Sequence, residues 1–269
     1  MQNKTSSPIF PIHASSISPQ SSIRLNKALA NAGICSRRKA DKLIQDGAVA
    51  VNGMVTHELG LRVTPSDTIS VYGETIHTVQ KRIWLMMNKP VQVVSTVHDP
   101  GGRRTVLDIL PDHWQQLRLF PVGRLDYFSE GLLLLTNDGD LAHKVLHPRY
   151  QVPKVYHLLV HEQPNENILQ NMRTGMRLAE GEQLAPLEAR ILPSSARLSH
   201  FPPYGTMMEI ILTQGVNRQI RRMCRDLHLT VLRLARVAHG AIILGNLPPG
   251  GVRMLKEEEI ALLHGKNSL

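Results

Sequence analysis

The sequence predicts an α+β protein of two domains. Three observations point there. The chain has 269 residues, enough for a sizeable core and about two domains. Residues 23–80 show helical periodicity first and short strand-like runs after it. Residues 81–258 interleave apolar, β-branched runs with amphipathic helical patterns. Periodicity gives no more than α+β; it does not order the strands of a sheet.

Residues 1–22 contain seven Ser and three Pro and lack a continuous apolar core, so they are read as a disordered tail rather than a signal peptide. No acidic residue precedes Asp41, which keeps a transit segment open as an alternative. Leu25, Ala28, Leu29 and Ala32 recur at helical spacing, and Gly33 ends that helix. Ser36 is an N-cap for a second helix, with Ala40, Leu43 and Ile44 as its buried stripe and Gly47 as its stop. Ala48 to Val51, the turn Asn52-Gly53 and Met54 to Thr56 read as a hairpin, and Thr68 to Tyr72 as a closing strand.

Lys81-Arg82 starts a linker. Ile83 to Met87 reads as a buried strand broken by Asn88-Lys89-Pro90, Val91 to Val97 as a second strand, and Val106 to Leu110 as a short helix stopped by Pro111. Leu132 to Leu135 is a strand, followed by the turn Asn137-Asp138-Gly139 and a helix capped by Asp140 that ends before Pro148. Val155 to Val160 and Met207 to Leu212 read as strands, and Glu166 to Arg173 as a helix. Gly215 to Leu227 has the clearest helical stripe, formed by Val216, Ile220, Met223, Cys224 and Leu227. Residues 259–269 are taken as a C-terminal tail.

Lys plus Arg number 31 against 22 acids, giving a formal charge of +9 and a pI near 9.8. Clustering of those cations favours a polyanionic partner over generic solubility charge. Arg37, Arg38 and Lys39 occupy the first turn of a helix, where the dipole disfavours each cation by about 0.3–1 kcal/mol. That placement suits a phosphate cradle better than a plain solvated face. Arg218, Arg221, Arg222 and Arg225 share one helix face, which calls for salt bridges or an anionic ligand. Aromatic residues are only 4%, which argues against a sheet that reads single strands through rows of stacked rings. The two cysteines, Cys35 and Cys224, form no metal or redox pair and fit a reducing compartment; no apolar run approaches a membrane span.

One residue stands out for chemistry. Asp126 follows Gly123-Arg124-Leu125 and precedes the apolar Leu132–Leu135 run. A carboxylate at the lip of an apolar wall, with cations nearby, has the setting of a nucleophile or base. The bland alternative is a turn aspartate.

Asn88-Lys89-Pro90, Ser95-Thr96, Pro121 through Asp126, Glu130 through Asp138-Gly139, His147-Pro148, Lys154-Val155-Tyr156 and Asn217 through Met223 together span nearly all of residues 83–258. In combination they resemble the RsuA family of bacterial ribosomal-RNA pseudouridine synthases, the group with RluB, RluE and RluF. Residues 23–80 resemble the S-four-like RNA-binding domain that commonly precedes that catalytic domain. The resemblance implies a mostly antiparallel mixed sheet flanked by helices in residues 81–258. It also implies isomerisation of a uridine in ribosomal RNA, 23S rRNA first and 16S rRNA as runner-up, with no cofactor and no metal.

By the same resemblance Asp126 is the catalytic carboxylate, as nucleophile or base. Arg221 is its salt-bridge partner, with one more phosphate contact as the alternative, and Tyr156 is the residue that stacks on the uracil. Arg124, Lys154, Arg218, Arg222 and Arg225 are expected to contact RNA or support the site. Three departures stand out: Gln92 and His228 where the family favours glycine, and Thr213-Gln214-Gly215-Val216 where it has an acidic residue and glycine. The expected partner is ribosomal RNA or a pre-ribosomal particle, with no membrane and no nucleotide cofactor; the chain is taken as a cytoplasmic monomer. Two other classes compete. A non-catalytic assembly factor explains the charge equally well but not the placement of Asp126. A methyltransferase needs a glycine-rich loop after a strand, which is not found.

Overall fold

A computed structural model describes residues 22–76 and 81–265. The expected N-terminal tail therefore lies outside the described residues, apart from Ser22. Two compact units divide after Gln80. No helix among the described residues is long and apolar enough to cross a membrane.

In the first unit, β1 (Ile23–Arg24) leads into α1 (Leu25–Asn31) and α2 (Arg37–Gln45), followed by β2 (Val49–Val51), β3 (Met54–Val55), β4 (Arg62–Val63), β5 (Ile69–Val71) and β6 (Glu74–Thr75). The Ser36 hydroxyl caps α2 by accepting the Lys39 N–H at 3.2 Å. Leu25, Leu29, Ala40 and Ile44 of the helices pack with Val49, Ile69 and Val71 of the antiparallel sheet β3-β2-β5-β6. The β2–β3 turn holds Asn52 at φ +52° and Gly53 at φ +81°, the left-handed pair a two-residue hairpin requires.

The second unit runs β7 (Trp84–Lys89), α3 (Asp112–Gln115), β8 (Phe120–Val122), β9 (Glu130–Thr136), α4 (Gly139–Leu146), β10 (Lys154–Val160), α5 (Glu166–Thr174), β11 (Glu188–Ile191), β12 (Thr206–Leu212), α6 (Gln219–Asp226), β13 (Val231–His239), β14 (Ile242–Ile243), β15 (Val252–Met254) and α7 (Glu257–His264). Nine strands form one sheet, with β11-β12-β10-β13-β9-β7-β15 as its path, β14 on β13 and β8 on β9. Every pairing is antiparallel except β13 with β9. At that parallel seam Gly131 sits opposite Arg236 at φ +100°, and a Cβ there would lie 2.2 Å from the Arg236 carbonyl oxygen. The seam therefore requires glycine.

Strands β7 and β9 are covered on both faces. Trp84, Met86, Leu132 and Leu134 pack with Leu141 and Val145 of α4, while the alternate residues Leu85, Met87, Leu133 and Leu135 pack with Val93, Val106, Leu110 and Leu125. Burial on both sides explains why these strands read as unbroken apolar runs. It also accounts for two corrections. Residues 91–97 are not a strand and 106–110 are not a helix. They are turns, tied by the Val94–Thr105 bridge, whose apolar side chains cap one face of the sheet. Tertiary burial here overrides local propensity.

Other boundaries move for local reasons. β7 continues through Lys89, past the expected break. The cap of α4 is Asp138, whose Oδ1 accepts the N–H groups of Asp140 and Leu141, each at 3.2 Å. Helix α6 begins at Gln219 because Arg218, at φ +49°, is left-handed. The expected C-terminal tail is in part folded. α7 runs Glu257–His264, buries Leu263 in the α4 cluster and ties Glu259 to Arg253 at 2.7 Å. Residues 266–269 lie outside the described set.

Candidate active site

The segment that carries Asp126 is pinned on both sides. Ser95 Oγ donates to the Leu125 carbonyl at 3.0 Å and accepts the Leu125 N–H at 3.1 Å. The Gln92 N–H donates to the Tyr127 carbonyl at 2.7 Å, and the Ser129 N–H to the Asp126 carbonyl at 3.0 Å. Gly123, at φ +78°, makes the turn out of β8. Asp126 is thereby held half-buried on a loop that enters the fully buried β9.

Asp126 lines a cavity of about 830 Å³ together with Tyr156 from β10 and Arg221 from α6. Tyr156 is half-buried and packs against two apolar clusters. Lys154, two residues earlier on the same strand face, lines the same cavity, and its ammonium donates to the Val152 carbonyl at 2.9 Å. Arg124 and Arg218 line it as exposed residues.

The expected salt bridge between Asp126 and Arg221 is replaced by a different arrangement. Arg221 Nη2 donates to the Phe128 carbonyl at 2.7 Å and to Ser129 Oγ at 3.3 Å, gripping the loop just after Asp126. Among the described residues no ion pair joins the two groups. Burial pushes the Arg221 guanidinium down from its ordinary value, and the Asp126 charge pushes it back up. Arg221 Nε is buried without a hydrogen-bond partner.

Two buried charges beneath this loop were not singled out from sequence. Lys89 is fully buried, and its Nζ donates to the Pro90 and Ser129 carbonyls, each at 2.8 Å. Burial lowers its pKa to about 8 against the opposing pull of Glu130 and Asp126. Glu130, buried at 1% exposure, accepts a two-pronged pair from Arg233 at 2.7 and 2.6 Å and faces His200 Nε2 at 3.0 Å. Lys89 belongs to a recognised tripeptide, yet only the extension of β7 to residue 89 reveals its burial.

The RNA pseudouridylate synthase model matches residues 83–226, and the S4 domain model matches residues 23–69. This chain belongs to the RNA pseudouridylate synthase family. It is 40% identical over 243 residues to an RNA pseudouridine synthase of Aquifex aeolicus, covering 90% of this chain and 93% of that one. It is 38% identical over 250 residues to ribosomal large subunit pseudouridine synthase B of Bacillus subtilis, covering 91% and 99%. A crystal structure of a pseudouridylate synthase superposes with TM-score 0.63 at 26% identity, over 90% of this chain and 99% of that one.

Not all the cations expected to meet RNA are available in this synthase. Arg222 is paired with Glu182 at 2.7 Å and Glu180 at 3.2 Å, and Arg225 with Glu180 and Asp226, each at 2.7 Å. The charge on that face of α6 is answered within the protein, so the argument from unbalanced charge fails for these two. Arg37, Arg38 and Lys39 are exposed and have no acidic partner among the described residues. Gln92 and His228, which stand where the family favours glycine, are held at φ +62° and φ +57°. Those are backbone positions that glycine adopts without strain.

Proposed function

We propose that this synthase converts a uridine of ribosomal RNA to pseudouridine with Asp126 as the catalytic carboxylate and without a cofactor. The supporting observation is convergence. Asp126, Tyr156 and Arg221 come from a loop, a strand and a helix far apart in sequence, and all three line one cavity. A surface that merely bound RNA would need no pinned carboxylate there.

In the reaction the bond from ribose C1′ to uracil N1 breaks, the base turns, and C5 bonds to C1′. The C5 proton is lost and N1 gains one, so nothing is oxidised. Asp126 attacks C1′ or removes a proton on an elimination route. Tyr156 stacks on the uracil near C5, and Arg221 fixes the Asp126 loop through Phe128 and Ser129. A uridine in structured RNA must first leave its stack, at a cost of a few kcal/mol. Cationic contacts offset that cost: Arg124, Lys154 and Arg218 at the cavity, and Arg37, Arg38 and Lys39 in residues 23–80. Residues 81 onward, extended here through α7, hold the chemistry.

The substrate is 23S rRNA, with 16S rRNA second, because a 38%-identical relative is named for the large subunit. The enzyme then acts in the cytoplasm, on ribosomal RNA or a pre-ribosomal particle. Pseudouridine mapping of rRNA from cells with and without the gene tests this. One 23S uridine should lose its modification and regain it from wild-type but not Asp126→Asn protein. Unchanged rRNA in the deletion strain, with RNA binding intact, would favour the assembly-factor alternative.

A further inference from the structure

Beyond Tyr156 along β10, the cavity floor holds a group of nitrogen donors, of which the reaction above uses only Lys154. Strand β13 supplies two of them. Tyr156 pairs with Arg236 and Val155 with Ala238, so Val237 is an extra residue in a β-bulge. Regular alternation would send residues 236 and 239 to opposite faces. The bulge brings both Arg236 and His239 to the cavity, and His239 lies opposite Lys154 in the register.

None of the three has a carboxylate partner among the described residues. Arg236 is 2% exposed; its Nε donates to the Leu132 carbonyl at 2.8 Å, and its Nη2 has no partner. His239 is 1% exposed, and neither ring nitrogen has a partner. Burial, then Arg236 and Lys154, push the His239 imidazolium well below its ordinary value. Burial, then Arg236, lower Lys154 to about 8. Each group works against its neighbours, and unpaired buried donors are costly. Unpartnered donors on Arg236 and His239, beside the Lys154 ammonium in one cavity, favour an anion there.

We propose that Lys154, Arg236 and His239 form an anion seat that takes a backbone phosphate adjoining the extruded uridine. This assignment rests on the RNA-modifying function proposed above. The donors on Lys154, Arg236 and His239 are present throughout the enzyme's cycle. A phosphodiester arrives with the RNA and stays charged throughout, whereas a uracil anion would exist only between bond breaking and bond forming. The seat therefore acts at binding, and it fixes the ribose of the target relative to Asp126 and Tyr156.

The test uses the full chain with 13C-labelled histidine rings, titrated with uridine 3′,5′-bisphosphate, uridine, uracil or inorganic phosphate. His239 is assigned from the resonance missing in His239→Leu. The bisphosphate should bind at least ~10-fold tighter than uridine and shift the His239 signal. His239→Leu and Lys154→Met should each weaken the bisphosphate at least ~5-fold and leave uridine affinity unchanged. Lys154→Met carries the test alone if His239→Leu does not fold.

Equal binding of bisphosphate and uridine overturns the seat, as does a preference that survives both variants. A His239 shift with uracil equal to that with bisphosphate gives the cluster to the base and overturns it as well. Inorganic phosphate binding as tightly as the bisphosphate makes it a free-phosphate site and likewise overturns it. The two proposals fail separately. Loss of the seat leaves pseudouridine formation through Asp126 standing, and absence of pseudouridine leaves the binding result standing.

Discussion

Helices α2 and α6 each present a run of cations, and the fold treats the two runs in opposite ways. Arg37, Arg38 and Lys39 sit exposed at the start of α2, with no acid beside them among the described residues. Arg222 and Arg225 of α6 reach back to Glu180, Glu182 and Asp226. Counting positive charges on a helix face therefore does not identify an RNA contact; what matters is whether the fold supplies the counter-charge. A third group, in the cavity, is half-buried or buried and has no carboxylate partner among the described residues. Under the proposed function, RNA capture falls to Arg37, Arg38 and Lys39 and to the cavity, and Arg222 and Arg225 of α6 are left a structural role.

The largest expected effect separates chemistry from capture. Asp126→Asn should reduce single-turnover pseudouridine formation at least ~10³-fold, about 4 kcal/mol of barrier, while RNA affinity holds. Product formed at the wild-type rate would move the reaction away from Asp126. Next comes the contrast between buried and surface ion pairs. Glu130→Ala strands Arg233 beneath the loop and should cost about 3 kcal/mol in urea unfolding. Glu180→Ala, on the α6 face, should cost under ~1 kcal/mol. Equal losses would erase the distinction.

The capture surfaces are compared by salt dependence. Neutralising Arg37, Arg38 and Lys39 with glutamine should flatten the slope of log affinity against log salt by ~2. Arg222→Gln with Arg225→Gln should leave that slope in place, and a matching drop would return α6 to the RNA interface.

A smaller effect follows from Lys154. Its folded pKa of about 8 lies below the ordinary 10.5. Below pH 8 the charge is present and aids RNA binding; as pH rises through 8 it is lost. KM for RNA should therefore climb between pH 7 and 9 by up to ~10-fold in wild type and stay flatter in Lys154→Met. Stability runs the other way. The unfolded chain holds that proton more tightly, so the burial penalty is relieved as pH rises from about 8 towards 10.5. The smallest changes are His228→Gly and Gln92→Gly, each expected to stabilise the fold by ~1 kcal/mol by removing a side chain from a left-handed position. Thermal melting would reveal either.

Much of the site was legible in the chain because its motifs are local. Asp126, Tyr156 and Arg221 stand in short recognisable strings, and the structure brings them to one cavity. Lys89 was seen only as a family marker, since nothing in Asn88-Lys89-Pro90 says that the strand runs on and encloses its side chain. Arg236 and His239 were hidden for a different reason. Their common direction depends on a bulge at Val237, which strand periodicity cannot reveal. Residues 91–97 and 106–110 are not legible as turns, because their β-branched and apolar residues look alike in a strand or short helix and in a cap of turns pressed on a sheet.

By itself the sequence determined the local events: the Ser36 cap, the Asn52-Gly53 hairpin, the Leu132–Leu135 strand and the alternation that sets Lys154 beside Tyr156. Those depend on neighbours within a few residues, where backbone sterics and side-chain period decide. Tertiary structure alone decided which charges are answered. Glu180 and Glu182 lie some forty residues from their arginines, and Glu130 is 103 residues from Arg233. Electrostatic energy depends on distance and burial in space, and neither is written in the order of the residues.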